Sequence, residues 1–247
     1  MEKIDEFIKN VESAELAVFD VDNVIVRGRI ASSLGYLIGE ERGNENYWKA
    51  VYGAVVTIIG TTVIGSYGSK MEAENWGLRK AIDTIGEAGI EKDKIQRASE
   101  KYYERKKIEG IDDLVGTLKD DLDLDIYIST TSADIFIEPL VKKIGAVGFT
   151  SQETLYNNNI PIGIKLRMKS PVDKYVETSN DIKNMNYNLK NSIYFGDSSN
   201  DLYFKDNVKS FVASPFAKAE VRRVADLRLD ERHNYFWLND ELKNSAN

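Results

Sequence analysis

Leu16-Ala17-Val18-Phe19-Asp20-Val21-Asp22 is the stretch from which the fold can be read. Four apolar residues run straight into two aspartates spaced by one residue. A run this short, apolar at every position, reads as a strand covered on both faces, which is the habit of parallel sheets. The pattern recurs down the chain. Ile126-Tyr127-Ile128 runs into Ser129-Thr130-Thr131-Ser132, and Ile193-Tyr194-Phe195 runs into Gly196-Asp197-Ser198-Ser199-Asn200-Asp201. Ala146-Val147-Gly148-Phe149 and Phe211-Val212-Ala213 are further runs. Helical spacing occupies the gaps, from Ile135 to Lys143 and from Val172 to Met185. Strands alternating with helices predict an α/β fold with a doubly wound, Rossmann-like parallel sheet. Open sheets of this kind bind ligands beyond the carboxyl ends of their strands. Neighbouring strands would therefore deliver all three polar tails to one crevice.

The first two runs are separated by far more chain than one crossover helix needs. Residues 28 to 115 read mostly helical, with Asn75 to Ala88 and Lys92 to Lys107 the clearest patterns. An inserted helical domain over 28–115 is expected, with 1–27 and 116–247 forming the α/β core. Asn157-Asn158-Asn159 with Pro161 marks a turn between two short extended pieces. Ile4, Phe7, Ile8 and Val11 recur at helical spacing, so the chain is expected to open on an amphipathic helix rather than a secretory leader. Ala50 to Ser69 carries no charge over 20 residues, long enough to span a bilayer. Its four glycines, three threonines and two serines lower its hydropathy, and a buried helical stretch in the insert is the preferred reading. A crossing there would also separate the two halves of the crevice.

The 247 residues carry 40 acidic and 33 basic side chains, a formal net charge of -7, with 42% hydrophobic residues. That balance excludes a disordered chain and argues against a dedicated nucleic-acid binder, which needs a basic face. There are no cysteines, so thiolate catalysis, disulfides and cysteine-held metals are excluded, and a reducing, cytoplasmic setting is expected. The one histidine, His233, lies in the polar run Asp230-Glu231-Arg232-His233-Asn234 and reads as a solvated surface residue. Catalysis is left to carboxylates, hydroxyls, lysine and metal. Several carboxylates in one crevice repel one another unless a cation neutralises them. Oxygen ligands without sulfur or imidazole point to magnesium. A carboxylate beside such an ion can attack phosphorus, and a lysine and a strand-end hydroxyl can then hold the phosphoryl oxygens.

These segments resemble the four motifs of the haloacid dehalogenase-like (HAD) superfamily, in order. Val18-Phe19-Asp20-Val21-Asp22 is similar to the first. Ile126-Tyr127-Ile128-Ser129-Thr130 resembles the second. Its continuation to Glu138-Pro139 is similar to the phosphoserine-phosphatase-like branch. Lys174, at the start of a helix, fits the third, with Lys169 the nearby alternative, and Gly196-Asp197-Ser198-Ser199-Asn200-Asp201 fits the fourth. A lone Asp-x-Asp is equally a capped turn; four motifs in sequence are not. The resemblance implies a phosphatase acting on a small phosphorylated metabolite, with no nucleic-acid or membrane partner. It makes Asp20 the nucleophile and Asp22 the acid and base. Thr130, Thr131, Lys174 and Asn200 become phosphate contacts. Asp20, Asp22 (through its carbonyl), Asp197 and Asp201 become magnesium ligands, although Asp201 instead orients Lys174 in an alternative reading. Residues 28–115 become a helical cap of the C1 type.

Arg29 stands where phosphoserine phosphatases have a glutamate that meets the substrate ammonium, so the expected substrate is not phosphoserine. Arg27 and Arg29 are either substrate contacts or solvated side chains. Tyr47, Trp48, Tyr52, Tyr67 and Trp76 are either pocket or core. Two other functions fit the same motifs: transfer of the phosphoryl group to a hydroxyl other than water, and phospho-ligand binding without turnover.

Overall fold

The structure, a computed structural model, describes residues 2–34 and 70–245. The Ala50–Ser69 stretch and Tyr47, Trp48, Tyr52 and Tyr67 lie outside the described residues. Helix α1 (Glu2–Glu12) leads into β1 (Leu16–Phe19). After the insert helices α2 (Lys70–Glu87) and α3 (Lys92–Lys106) come α4 (Ile111–Gly116), β2 (Asp125–Ala133) and α5 (Asp134–Ile144). An antiparallel pair, β3 (Gly148–Asn157) and β4 (Ile160–Lys165), precedes α6 (Pro171–Asn184) and β5 (Ser192–Gly196). The chain ends with β6 (Ser210–Ala213), α7 (Ala219–Val224), β7 (Leu227–Arg228) and α8 (Tyr235–Ser245).

One sheet runs in the order β4-β3-β2-β1-β5-β6-β7, parallel except at β3–β4. The four residues of β1 are fully buried because both of its faces are covered. Alternation of side chains along a strand then sorts the core into two layers. Ala17 and Phe19, with Ile126, Ile128, Ile193 and Phe195, pack against α1, α5 and α8. Leu16 and Val18, with Tyr127, Tyr194 and Phe211, pack on the other side against Ile182 of α6 and Val221 of α7. Tyr194 stacks between Phe204 and Phe211 there, and Phe19 stacks on Phe195 in the first layer.

The described insert helices share the main core. Leu78, Ile82, Ile85, Ile95, Ala98 and Tyr102 belong to the same apolar cluster as β1 and β2. α2 lies on β4, and α3 on α5. The expected edge of the insert, between residues 115 and 116, falls inside α4, which packs on α8. Among the described residues no helix is long and apolar enough to cross a membrane.

Register places the site. β1 sits between β2 and β5, with Phe19 level with both Ile128 and Phe195. Asp20, just past β1, therefore lies level with Ser129 within β2 and with Gly196 at the end of β5. The chain departs from β1 toward β2 on one side and returns as β5 on the other, the switch point where such sheets open a crevice.

Candidate active site

Asp20 is held at the end of β1 by its own backbone, whose N–H donates to the Phe195 carbonyl at 3.0 Å. The loop beyond turns tightly on Val21, whose carbonyl accepts from Ile25 (2.9 Å) and Val26 (3.1 Å). Val21, Val24, Ile25 and Val26 are fully buried and anchor the loop. Asp20 keeps 6% of its surface exposed, and Asp22 is half-buried.

Lys174 reaches this point from α6. Ser170 caps that helix, accepting from the Asp173 N–H at 3.2 Å, while the Asp173 carboxylate accepts from the Ser170 N–H, and Pro171 occupies the first helical position. One turn beyond Lys174, Thr178 bonds Ser129 in the middle of β2 through their hydroxyls, 2.7 Å apart. So anchored, the 1%-exposed Lys174 places its Nζ 2.6 Å from Asp201 Oδ1 and 3.1 Å from Asp20 Oδ1.

Asp201 is the most fully bonded member. Its Oδ1 accepts from Lys174 and from the Tyr194 hydroxyl (2.8 Å). Its Oδ2 accepts from the backbone N–H groups of Asp197 and Ser198, both at 3.1 Å. Gly196 permits that fit, since a Cβ there would lie 2.8 Å from the Cβ of Asp201. Asp20, Asp197 and Asp201 each offer a carboxylate oxygen, all within 4.8 Å of one another.

The remaining expected residues divide. Thr130 is buried within β2, its Oγ1 accepting from the Ser132 N–H at 3.2 Å, which leaves the hydroxyl proton to be donated. Thr131 beside it is half-buried. Asn200 is buried, but its Nδ2 lies 3.5 Å from Glu74 Oε2 on α2. Arg29 stands 3.4 Å from the other oxygen of Glu74, and Arg27 lies over the Phe216 ring, 5.1 Å from its centroid. Both arginines therefore have partners from this chain. His233 is half-exposed beside Asp230, as its polar surroundings predict. Three residues were not singled out from sequence: Tyr194 under Asp201, Glu74 beside Asn200, and Asn23, whose Nδ2 donates to Asp197 Oδ2 at 3.1 Å.

Burial pushes the Asp20 carboxyl well above its ordinary 3.8. Lys174 pulls it down, but Asp201, Asp197 and Asp22 all push it up. Burial works to lower Lys174, yet Asp20 and Asp201 outweigh it and hold the ammonium charged. Burial likewise acts to raise Asp201, and Lys174 overcomes it, so that carboxylate stays ionised. Positive charge is therefore short at Asp20, where every donor is a hard oxygen. That donor set fits a magnesium ion and no softer metal.

A pH dependence follows, with its sign. A raised acid stabilises the fold fully below its unfolded value, and that stability is lost as pH rises through the folded value. Magnesium needs the ionised form, so protons compete with it. Its stabilisation is expected to be larger at about pH 8 than at about pH 5, read as the rise in melting temperature on adding magnesium. Equal rises at both would show that Asp20 is not part of the cation site.

No family model and no curated protein matches the sequence. Solved structures do. A phospho-aspartyl intermediate analogue of phosphoserine phosphatase is similar over 92% of this chain and 98% of its own, at 16% identity and TM-score 0.64. A HAD family hydrolase from Salmonella enterica subsp. enterica serovar Typhi is similar over 92% of this chain and 72% of its own, at 15% identity and TM-score 0.64. Cytosolic 5'-nucleotidase IIIB bound to cytidine is similar over 98% and 90%, at 13% identity and TM-score 0.68. The fold is that of the HAD phosphatases.

Proposed function

We propose that this chain is a magnesium-dependent phosphatase that hydrolyses a small phosphomonoester through an aspartyl-phosphate on Asp20. One observation carries the reading: a buried carboxylate at the end of the central strand, 3.1 Å from a buried lysine and clustered with Asp197 and Asp201. Asp20, Asp197 and the backbone carbonyl of Asp22 would hold the ion. Bound there, magnesium supplies positive charge against the phosphoryl oxygens. The five hydrogen bonds accepted by Asp201 favour its role as the orienter of Lys174.

The Asp20 carboxylate attacks phosphorus, forming the Asp20 O–P bond as the bond to the leaving oxygen breaks. Asp22, as the neutral acid, gives its proton to that oxygen. Lys174 and the Thr130 hydroxyl hold the phosphoryl oxygens as charge builds, Thr131 and Asn200 completing the pocket. Asp22, now ionised, takes a proton from water, which attacks phosphorus and releases inorganic phosphate from Asp20. Residues 28–115 act as the cap that excludes bulk water and selects the leaving group. Similarity in fold to a phosphoserine phosphatase and a 5'-nucleotidase supports a small phosphomonoester, while Arg29, in place of a glutamate that would meet an ammonium, argues for a leaving group other than serine.

The test is phosphate release from a panel of phosphorylated metabolites, with magnesium and with chelator. Magnesium-dependent release from at least one is expected. Product formed only when an alcohol acceptor is added would instead assign a phosphotransferase. Binding of a panel member with neither product would assign a non-catalytic receptor.

A further inference from the structure

Asn23 follows the Asp20–Asp22 pair and has no part in the chemistry above. Its φ of +59° lies in the left-handed region, which asparagine tolerates better than most residues. Its backbone is pinned at both ends. The N–H donates to the Val26 carbonyl at 2.7 Å, and the carbonyl accepts from the Ser214 hydroxyl, just past β6, at 2.8 Å. The side chain is used twice as well. Nδ2 donates to Asp197 Oδ2 at 3.1 Å, and Oδ1 accepts the Gly28 N–H at 3.0 Å. That geometry asks for a short side chain carrying both a donor and an acceptor. An ionised aspartate has no donor and would face Asp197 with like charge; serine is too short to span both partners.

Carboxylates crowded together turn away from one another unless something holds them. A hydrogen bond to one carboxylate oxygen restrains rotation about the Cβ–Cγ bond, and so the direction in which the other oxygen points. We infer that Asn23 is a positioning residue for the cation site, holding the Asp197 carboxylate in its receiving orientation and tying it to Gly28, where the insert leaves the core. The inference rests on the magnesium-phosphatase reading and deepens it. Partners of this kind, one step removed from a metal, change its affinity by about 10- to 100-fold when removed.

The decisive substitution is Asn23→Gly, which keeps the left-handed backbone comfortable and deletes both side-chain bonds. Magnesium binding is measured by calorimetry on the whole protein without substrate. A loss of about 10- to 100-fold in affinity is expected. Phosphate release should fall at limiting magnesium and recover at saturating magnesium, which damage to the fold would not do. Ser214→Ala loosens the same loop without touching a carboxylate, and its magnesium affinity should stay near that of the wild type. Unchanged affinity in Asn23→Gly, or an equal loss in Ser214→Ala, overturns the assignment and leaves the phosphatase reading standing. Absence of magnesium binding in the wild type itself overturns both. If Asn23→Gly does not fold, Asn23→Ser carries the same comparison.

Discussion

Asp20→Asn is expected to abolish phosphate release while making the metal-free protein more stable. The two effects share one cause. The amide cannot attack phosphorus, so turnover should fall by about 10⁴- to 10⁶-fold, the range seen when an enzyme loses its nucleophile. The same carboxylate is held well above its ordinary value by burial and by Asp201, Asp197 and Asp22, so its ionised form is strained at neutral pH. A neutral isostere removes that strain without opening a cavity, and Lys174 keeps Asp201 at 2.6 Å. A gain of about 1 kcal/mol is expected, as where a site is strained for activity. Urea titration in chelator reads the stability, and phosphate release reads the turnover. The magnesium-induced rise in melting temperature should shrink in the variant. A variant both inactive and destabilised in chelator would mean that Asp20 serves the fold, and the nucleophile assignment would lose its physical basis.

The legible parts of this chain were those whose partners are implied by local pattern. The Leu16–Phe19 run needs no distant information, because four consecutive apolar residues can be buried only between two layers. Asp20, Lys174, Asp197 and Asp201 could be singled out because each follows a strand or opens a helix, and parallel neighbours bring such ends together. The interior of β3 was not legible beyond its start. Thr150, Ser151, Gln152 and Thr154 are buried polar residues, where sequence pattern expects a surface. Two of them, Thr150 and Gln152, are admitted by partners distant along the chain. Gln152 Nε2 donates to Asn75 Oδ1 on α2 (3.1 Å) and to the Met168 carbonyl (2.7 Å), while its Oε1 accepts the Arg167 and Met168 N–H groups. Thr150 donates to Asp181 on α6 at 2.8 Å. Glu74 and Asn23 were missed for the same reason. An acid in a charged helix and an asparagine in a turn have ordinary local explanations, and only the fold brings them to Asn200 and Asp197. The left-handed φ of Asn23 is the one feature with a local sequence signal, because asparagine is favoured there.

Lys174→Met should cost both stability and activity, and its pH dependence separates this from a loss of packing. Methionine matches the length of the lysine stem, so the volume is largely kept. What goes is the ammonium 2.6 Å from Asp201 and 3.1 Å from Asp20, in a site where all three residues are buried. Removing one partner from a buried ion pair leaves charge uncompensated and costs about 3–5 kcal/mol. Tyr194 and two backbone N–H groups still donate to Asp201, which places the expected loss near the lower end. The sign with pH follows from the same contacts. Lys174 acts to lower both Asp20 and Asp201, so both rise without it. Acids raised in the folded state lend stability below their unfolded values and lose it as pH rises through the folded ones. The gap between variant and wild type should therefore narrow as pH falls from about 8 toward about 5. Added magnesium should narrow it as well, by restoring positive charge beside Asp20. Turnover should fall by at least about 10²-fold, the usual loss when one donor to a developing oxyanion is removed. A pH-independent gap would mean that the lysine stem, and not its charge, holds the three elements together.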